Sequence, residues 1–279
     1  MRNSDDDRTV QRILVALDAS PQSLVALDIA VEIATKFQAE LIGIYVEDIN
    51  LVRLADFPFS REIGRFSASS RPFDSSQIQR LMHAHARLVK HHLAFTARRA
   101  NLRWSMQITR GSISDELLTA AQASDLIVLG KTGWSGRREP GSTVQTILNR
   151  TNRQLLVLSR KIQPGAPILV VFDGSQASQK ALIAATLIRV TENPISVLIL
   201  ANSSEDAQSK QSIAENVLFP TGVKASYHWI PEVDSSRLAL LASLERCDIV
   251  VLPAIGHAFP GEDVIKMLTE SDCAVLLVR

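Results

Sequence analysis

Ile13-Leu14-Val15-Ala16-Leu17-Asp18-Ala19-Ser20 returns 155 residues later as Ile168-Leu169-Val170-Val171-Phe172-Asp173-Gly174-Ser175, with five of eight positions identical. Each copy is a short apolar run that ends in Asp-x-Ser. That is the form of a strand buried on both faces and running into a turn. Two further segments repeat in the same order. Ser124-Asp125-Leu126-Ile127-Val128-Leu129-Gly130 returns as Cys247-Asp248-Ile249-Val250-Val251-Leu252-Pro253 at an offset of 123, and Leu155–Arg160 returns as Ala274–Arg279 at an offset of 119. Constant order with a shrinking offset describes one unit duplicated and then trimmed. The first copy carries 32 more residues between its first and fourth strands, and 4 more between its fourth and fifth. Residues 1–11 form a polar N-terminal segment, 12–160 the first unit, 161–167 a Pro/Gly-containing linker and 168–279 the second unit.

Within the first unit, Ile13–Leu17, Leu41–Val46, Leu126–Leu129 and Leu155–Leu158 read as buried strands. Ser23–Lys36, Ser76–Ala100, Ser114–Ala123 and Thr143–Asn149 read as helices between them, with Ser20-Pro21 as cap and first-turn pair for the first. Strands alternating with helices imply a parallel sheet with right-handed crossovers. One strand per unit alternates instead: Trp104, Met106 and Ile108 against polar neighbours, and Val223, Ala225, Tyr227 and Trp229 likewise. Such a strand has one wet face and belongs at a sheet edge. The final strands, Leu155–Leu158 and Ala274–Val278, show no alternation. A bare apolar edge invites aggregation, so the two are expected to cover each other, each unit serving as the other's pseudo-dimer partner. The same strands can be exchanged between chains, which leaves a homodimer open.

Composition narrows the function classes. Of 279 residues, 46% are hydrophobic and 21% charged, as in a globular chain rather than a disordered one. Lys and Arg number 30 against 29 Asp and Glu, so no overall field draws the chain to nucleic acid or to an anionic membrane. No apolar stretch nears the roughly 20 residues of a bilayer span, and the start is polar, with Asp5, Asp6 and Asp7 in a row, unlike a secretory leader. The expected location is cytoplasmic. Cys247 and Cys273 each adjoin an apolar run and read as small buried hydrophobes rather than as redox or metal groups.

The motif that can carry chemistry is Gly130-Lys131-Thr132-Gly133, directly after a buried strand, followed after seven intervening residues by Gly141-Ser142-Thr143 at the start of a helix. Glycines let the backbone approach a ligand and turn its N–H groups inward. The helix N-terminus adds partial positive charge, and Ser142 and Thr143 add hydroxyl donors. The place, beyond the carboxyl end of a parallel strand, is where open α/β sheets bind ligands. Asp18 ends the first strand in the same layer and can accept hydrogen bonds from a nucleotide.

A strand ending in Val-x-x-Asp-x-Ser, then a strand running into Gly-x-x-Gly with a later Gly-Ser-Thr, resembles the universal stress protein family in its tandem form, from about Arg12 to Arg279. The resemblance implies an adenine nucleotide alpha hydrolase-like α/β fold: two tandem open parallel five-stranded sheets, helices on both faces, strand order 3-2-1-4-5. It also implies ATP, with Mg²⁺, as the ligand of the first unit. Carried over by position, Asp18 with Ala16 and Leu17 beside it and Val46 meet the adenosine, and Gly130, Gly133, Gly141, Ser142 and Thr143 meet the phosphates. Leu129, just before the loop, is counted with the binding residues, and Lys131 lies inside the loop where it can help neutralise phosphate. The family usually places nine residues between the second glycine and Gly-Ser/Thr; Trp134 to Pro140 makes seven, with Arg137 and Arg138 inside. The second unit keeps Asp173 and Ser175, but Pro253 stands for the first glycine and no Gly-Ser/Thr follows, so no ATP is expected there. The reading is a nucleotide-responsive stress regulator, without an identifiable catalytic base and therefore with slow hydrolysis at most. The alternatives are a scaffold that presents surfaces to a protein partner, or a weak ATPase.

Other signals are discounted. Gly130-Lys131-Thr132 lacks the upstream glycine of a Walker A loop, because position 125 is Asp. His83, His85, His91 and His92 include no i, i+4 pair, so they read as a solvated helix face rather than a metal site. The long segment Asp48–Ser76, with Phe57, Phe59, Phe66 and Phe73, reads as a lid, a partner surface or a plain excursion.

Overall fold

The computed structural model describes residues 10–55, 57, 61–63, 70–72, 75–133, 139–163, 165–189, 194–253 and 261–279. Phe59, Phe66, Phe73, residues 134–138 of the glycine loop, and residues 254–260 of its second-unit counterpart lie outside them. In chain order the first unit contributes β1 (Arg12–Ala16), α1 (Pro21–Phe37), β2 (Glu40–Asp48), α2 (Ile49–Ala55), β3 (Arg61–Ile63), β4 (Ser70–Pro72), α3 (Ser75–Arg99), β5 (Trp104–Gly111), α4 (Ile113–Ala121), β6 (Leu126–Gly130), α5 (Ser142–Arg150) and β7 (Gln154–Leu158). The second contributes β8 (Ile168–Phe172), α6 (Gln176–Ile188), β9 (Ile195–Leu200), α7 (Ser204–Leu218), β10 (Ala225–Ile230), α8 (Ser235–Leu244), β11 (Ile249–Pro253), α9 (Gly261–Glu270) and β12 (Ala274–Val278).

Ten of these strands form one sheet in the order β10-β9-β8-β11-β12-β7-β6-β1-β2-β5. Read within each unit, the order is 3-2-1-4-5, and every pairing inside a unit is parallel. The two five-stranded sheets are therefore not separate: β7 and β12 pair antiparallel, Val157 opposite Val275 and Leu155 opposite Leu277. These are the two apolar strands that the sequence left without a cover. The alternating strands β5 and β10 take the outer edges. The Asp48–Ser76 segment supplies α2, no residue of which is buried, and the antiparallel pair β3–β4.

Alternate strand residues divide the core in two. Ile13, Val15, Val128 and Leu156 pack with α1, α3, α6 and α7 on one face of the sheet. Leu14, Ile127, Leu129, Leu155 and Val157 pack with α4, α5, α8 and α9 on the other. Both cores run through the β7–β12 seam, so the units share a continuous interior. Across the seam Arg160 pairs with the buried Asp248 at 2.6 Å, and the Ser159 hydroxyl donates to the Cys273 carbonyl at 3.3 Å.

Both Asp-x-Ser turns are built alike. The carboxylate Oδ1 of Asp18 accepts from the Ser20 backbone N–H at 2.9 Å, and that of Asp173 from Ser175 at 2.9 Å. Ser20 then caps α1 and Ser175 caps α6 through N–H groups three residues on. The middle residue is left-handed in both, Ala19 at φ 63° and Gly174 at φ 84°. Glycine adopts that region freely and alanine only under strain.

Candidate functional site

At the carboxyl ends of β1 and β6, between α4 and α5, lies a cavity of about 180 Å³. Ala16, Leu17, Asp18, Val46, Leu129, Gly130, Lys131, Gly133, Gly141, Ser142 and Thr143 all line it, so the structure brings together every site residue named from sequence. Ser20, Ser23, Ile44, Ile113, Leu117, Thr132 and Val144 complete the wall. Chemically the wall has two ends. Ile44, Val46, Ile113, Leu117, Leu129 and Val144 make an apolar slot suited to a flat ring, and Asp18 stands beside it. The backbone of the glycine loop and the start of α5 make the polar end.

Each glycine has its own reason. A Cβ on Gly130 would meet Gln22 at 3.1 Å, so this glycine lets β6 run close under the first turn of α1. A Cβ on Gly133 would stand 2.7 Å from the Asp18 carboxylate, closer than real side chains approach. Gly141 is different, because its nearest neighbour would be the Lys131 carbonyl at 3.9 Å. It serves as N-cap of α5 without a side chain, whereas Ser20, Ser175, Ser203 and Asp234 cap their helices by hydrogen bonds. The first N–H groups of α5 thus meet no capping side chain and face the polar end of the cavity.

Two side chains outside the sequence reading set the loop. Gln22 Oε1 accepts from both the backbone N–H and the hydroxyl of Thr132, at 2.7 and 2.8 Å. The Lys131 N–H donates to the Leu158 carbonyl, and the Gly141 N–H to the Lys131 carbonyl, closing the ends of the loop on each other. Gln22 gave no signal beyond its place in the first turn of a helix. Ser20-x-x-Ser23 did: it is a capping spacing, and it puts the Ser23 hydroxyl within 3.3 Å of the Asp18 N–H.

Lys131 lines the cavity and also reaches the second unit. It is buried, and its ammonium donates to the Ser271 carbonyl at 3.3 Å. The loop lysine thereby ties the loop to the end of α9. Burial first, with the fields of Glu47 and Asp18, pushes the nearby Tyr45 hydroxyl up to about 12.

The second unit has the same turn but a different filling. The Lys210 stem lies 3.2 Å from where a Cβ on Gly174 would be, and its ammonium donates to the Leu200 carbonyl and to Asp206, both at 2.8 Å. Burial alone would raise Asp173, but hydrogen bonds from Ser175 and Ser178 outweigh it and hold its carboxyl below the usual range. Among the described residues, no three His, Cys, Asp or Glu side chains gather as a metal site, and no helix is long and apolar enough to cross a membrane.

Comparison with known proteins agrees with this geometry at the level of the fold. A universal stress protein from Archaeoglobus fulgidus DSM 4304 superposes with a TM-score of 0.68 at 12% identity, covering 96% of this chain and 98% of its own. A functionally unknown protein of Pseudomonas aeruginosa PAO1 superposes with a TM-score of 0.61 at 13% identity, covering 96% and 92%. No curated protein matches the chain. The model of the universal stress protein family matches residues 9–159, the unit that holds the cavity and both glycine segments. More than half of the chain thus carries the family's own pattern on the family's fold, and it belongs to the universal stress protein family.

Proposed function

We propose that residues 12–160 form a domain that binds an adenine nucleotide, and that residues 168–279 form a degenerate domain that does not, the pair acting as a nucleotide-responsive stress regulator in the cytoplasm. The observation that carries the reading is the convergence of eleven sequence-derived residues on one cavity that is apolar at one end and lined with loop backbone and a helix start at the other. The residues present fit the group. The slot between Ile44, Ile113, Leu117 and Leu129 accepts a ring, and Asp18 accepts hydrogen bonds from a ribose or an exocyclic amine. At about 180 Å³ the enclosed space is below the roughly 300–1,000 Å³ of a whole small-molecule pocket, so the base end is enclosed and the phosphates sit at the mouth. There the N–H groups of Ser142 to Val144 and the two hydroxyls would hold them. Mg²⁺, which is usually carried on nucleotide phosphates, would arrive with them rather than in a protein cage. In the second unit, the Lys210 side chain over the Asp173 turn supports the absence of a nucleotide.

Isothermal calorimetry with ATP, ADP, AMP and adenosine tests the reading. Wild type should bind at one site per chain. Asp18→Asn keeps the acceptor for the Ser20 N–H yet replaces the second carboxylate oxygen by a donor, and should weaken every one of the four ligands. No binding by wild type, or two sites per chain, would remove the proposal.

A further inference from the structure

Helix α3 carries two apolar stripes, and among the described residues only one of them has a partner. Met82, Ala86, Val89, Leu93 and Ala97 form the buried stripe. On the opposite side Leu81, Leu88 and Phe95 are 55%, 49% and 53% exposed, with exposed Ala84 between the first two. Their spacing of three, four and seven residues is a heptad seam, the pattern with which a helix meets another helix. A surface helix ordinarily turns polar residues to solvent. The counterpart in the second unit does so: α7, which likewise joins the second and third strands of its unit, exposes Glu205, Gln208, Ser212 and Glu215. The same scaffold position thus exposes an apolar seam in one copy and a polar face in the other.

The charges around the seam choose the occupant. The 25 residues of α3 include Arg80, Arg87, Lys90, Arg98 and Arg99 and no acidic residue. Arg80 and Arg87 each precede a seam leucine by one position and Arg98 follows Phe95 by three, so at 100° per residue all three lie on one shoulder of the seam. On the other shoulder the Arg99 guanidinium lies over the Phe95 ring at 5.5 Å from its centre. Basic residues beside an apolar heptad seam call for acidic residues at the flanking positions of the partner helix. A second copy of this chain would set five cations against five. A lipid surface would call for a broad apolar face, whereas this seam is one side chain wide.

We propose that the solvent face of α3 is a docking site for an acidic amphipathic helix of a partner protein, with apolar residues in heptads and Glu or Asp flanking them. It lies on the sheet face opposite α4 and α5, and does not depend on the nucleotide reading.

The test is fluorescence anisotropy of the full chain with a labelled synthetic peptide of about three heptads, Leu at the core positions and Glu at the flanking ones. A twin peptide with Lys at the flanks serves as control. The substitutions are Leu88→Gln with Phe95→Gln, and separately Arg87→Glu with Arg98→Glu, all at exposed positions, with circular dichroism to confirm the fold. Wild type should bind the Glu peptide and not its Lys twin, and each double substitution should weaken binding by about tenfold or more, the scale of interface hot spots. The proposal fails if the Glu peptide does not bind, or if neither variant changes its affinity. Phosphatidylserine vesicles that bind α3-dependently in place of the peptide would assign the surface to lipid and overturn it. A wild-type dimer that becomes monomeric with Leu88→Gln and Phe95→Gln would assign it to a second copy and do the same.

Discussion

Gly141→Asp separates phosphate recognition from folding. Gly141 has φ −60° and ψ 154°, the extended geometry that any N-cap residue adopts, and there is 3.9 Å of room to the nearest atom. Aspartate is among the best N-cap residues and gains a few tenths of a kcal/mol over glycine there. Its charge at the positive end of α5 adds about 0.3–1 kcal/mol. The folded protein should therefore be as stable as wild type or slightly more so. The same carboxylate would sit where the phosphates are proposed to lie. Unit charges about 4 Å apart repel by about 1 kcal/mol in bulk water and about 4 kcal/mol at an effective dielectric constant near 20. Gly141 is half-buried, so about 2 kcal/mol per interacting phosphate charge is a fair middle value, equal to a roughly 30-fold loss of affinity. Calorimetry with ATP and with adenosine, alongside thermal unfolding, reads all three quantities. ATP should weaken about 30-fold or more, adenosine should change by less than about twofold, and Tm should hold or rise. An unchanged ATP affinity would refute the placement of phosphate at α5. A parallel loss of adenosine would show instead that the substitution deforms the slot.

Four other outcomes follow from the structure. Ala19→Gly removes left-handed strain of about 1–2 kcal/mol and returns about 0.5–1 kcal/mol of chain entropy, so urea unfolding should show a net gain of about 0.5–1 kcal/mol. Gly174→Ala should lose at least as much, because its Cβ also meets Lys210. Val157→Asp buries an unpaired carboxylate in the core at the β7–β12 seam, costing several kcal/mol. It should abolish cooperative unfolding or collapse Tm for both units together, and a second unit that melts unchanged would contradict the shared interior. Burial first, with the charges of Glu245 and Asp248, pushes the Cys247 thiol up to about 12, and burial also raises Cys273. Since the thiolate is the nucleophile, iodoacetamide at pH 8 should label neither cysteine in the native protein and both in guanidinium, as mass spectrometry would read.

The parts of this molecule that read plainly from sequence are those encoded by neighbouring residues. Ile13–Leu17 and Ile168–Phe172 announce buried strands because both faces of each are covered, and Ser20-Pro21 announces the start of α1 because cap and first turn are adjacent in the chain. The alternation of Trp104, Met106 and Ile108 marks an edge for the same reason. What remained hidden depends on partners distant in the chain. The ammonium of Lys131 is claimed by a carbonyl at Ser271, 140 residues away, and nothing in Gly-Lys-Thr-Gly encodes that. Gln22, the second residue of α1, holds Thr132 because the first turn of that helix passes close to the end of β6. The merging of two sheets into one was partly legible: the unalternating strands demanded a cover, but the antiparallel register of Leu155 to Leu277 is a property of the assembled edge. The seam on α3 was present as Leu81, Leu88 and Phe95 all along. It was masked by the histidines between them and by the stronger core stripe of the same helix.

The antiparallel join of β7 to β12 also bears on how the chain can be rewired. In the direction of β1, Ile13 is level with Leu126, Leu126 with Gln154, and Leu155 with Leu277, so the beginning of β1 and the end of β12 emerge on the same rim of the sheet. Only β6 and β7 stand between them, a gap of three strand spacings or about 14 Å. A bridge of about five residues would close it, while a cut between β7 and β8 would open the chain elsewhere. A circular permutant that reads second unit first should then reach the same ten-stranded sheet. The order in which the units are written would be a matter of connection, and the seam between them the part that architecture requires.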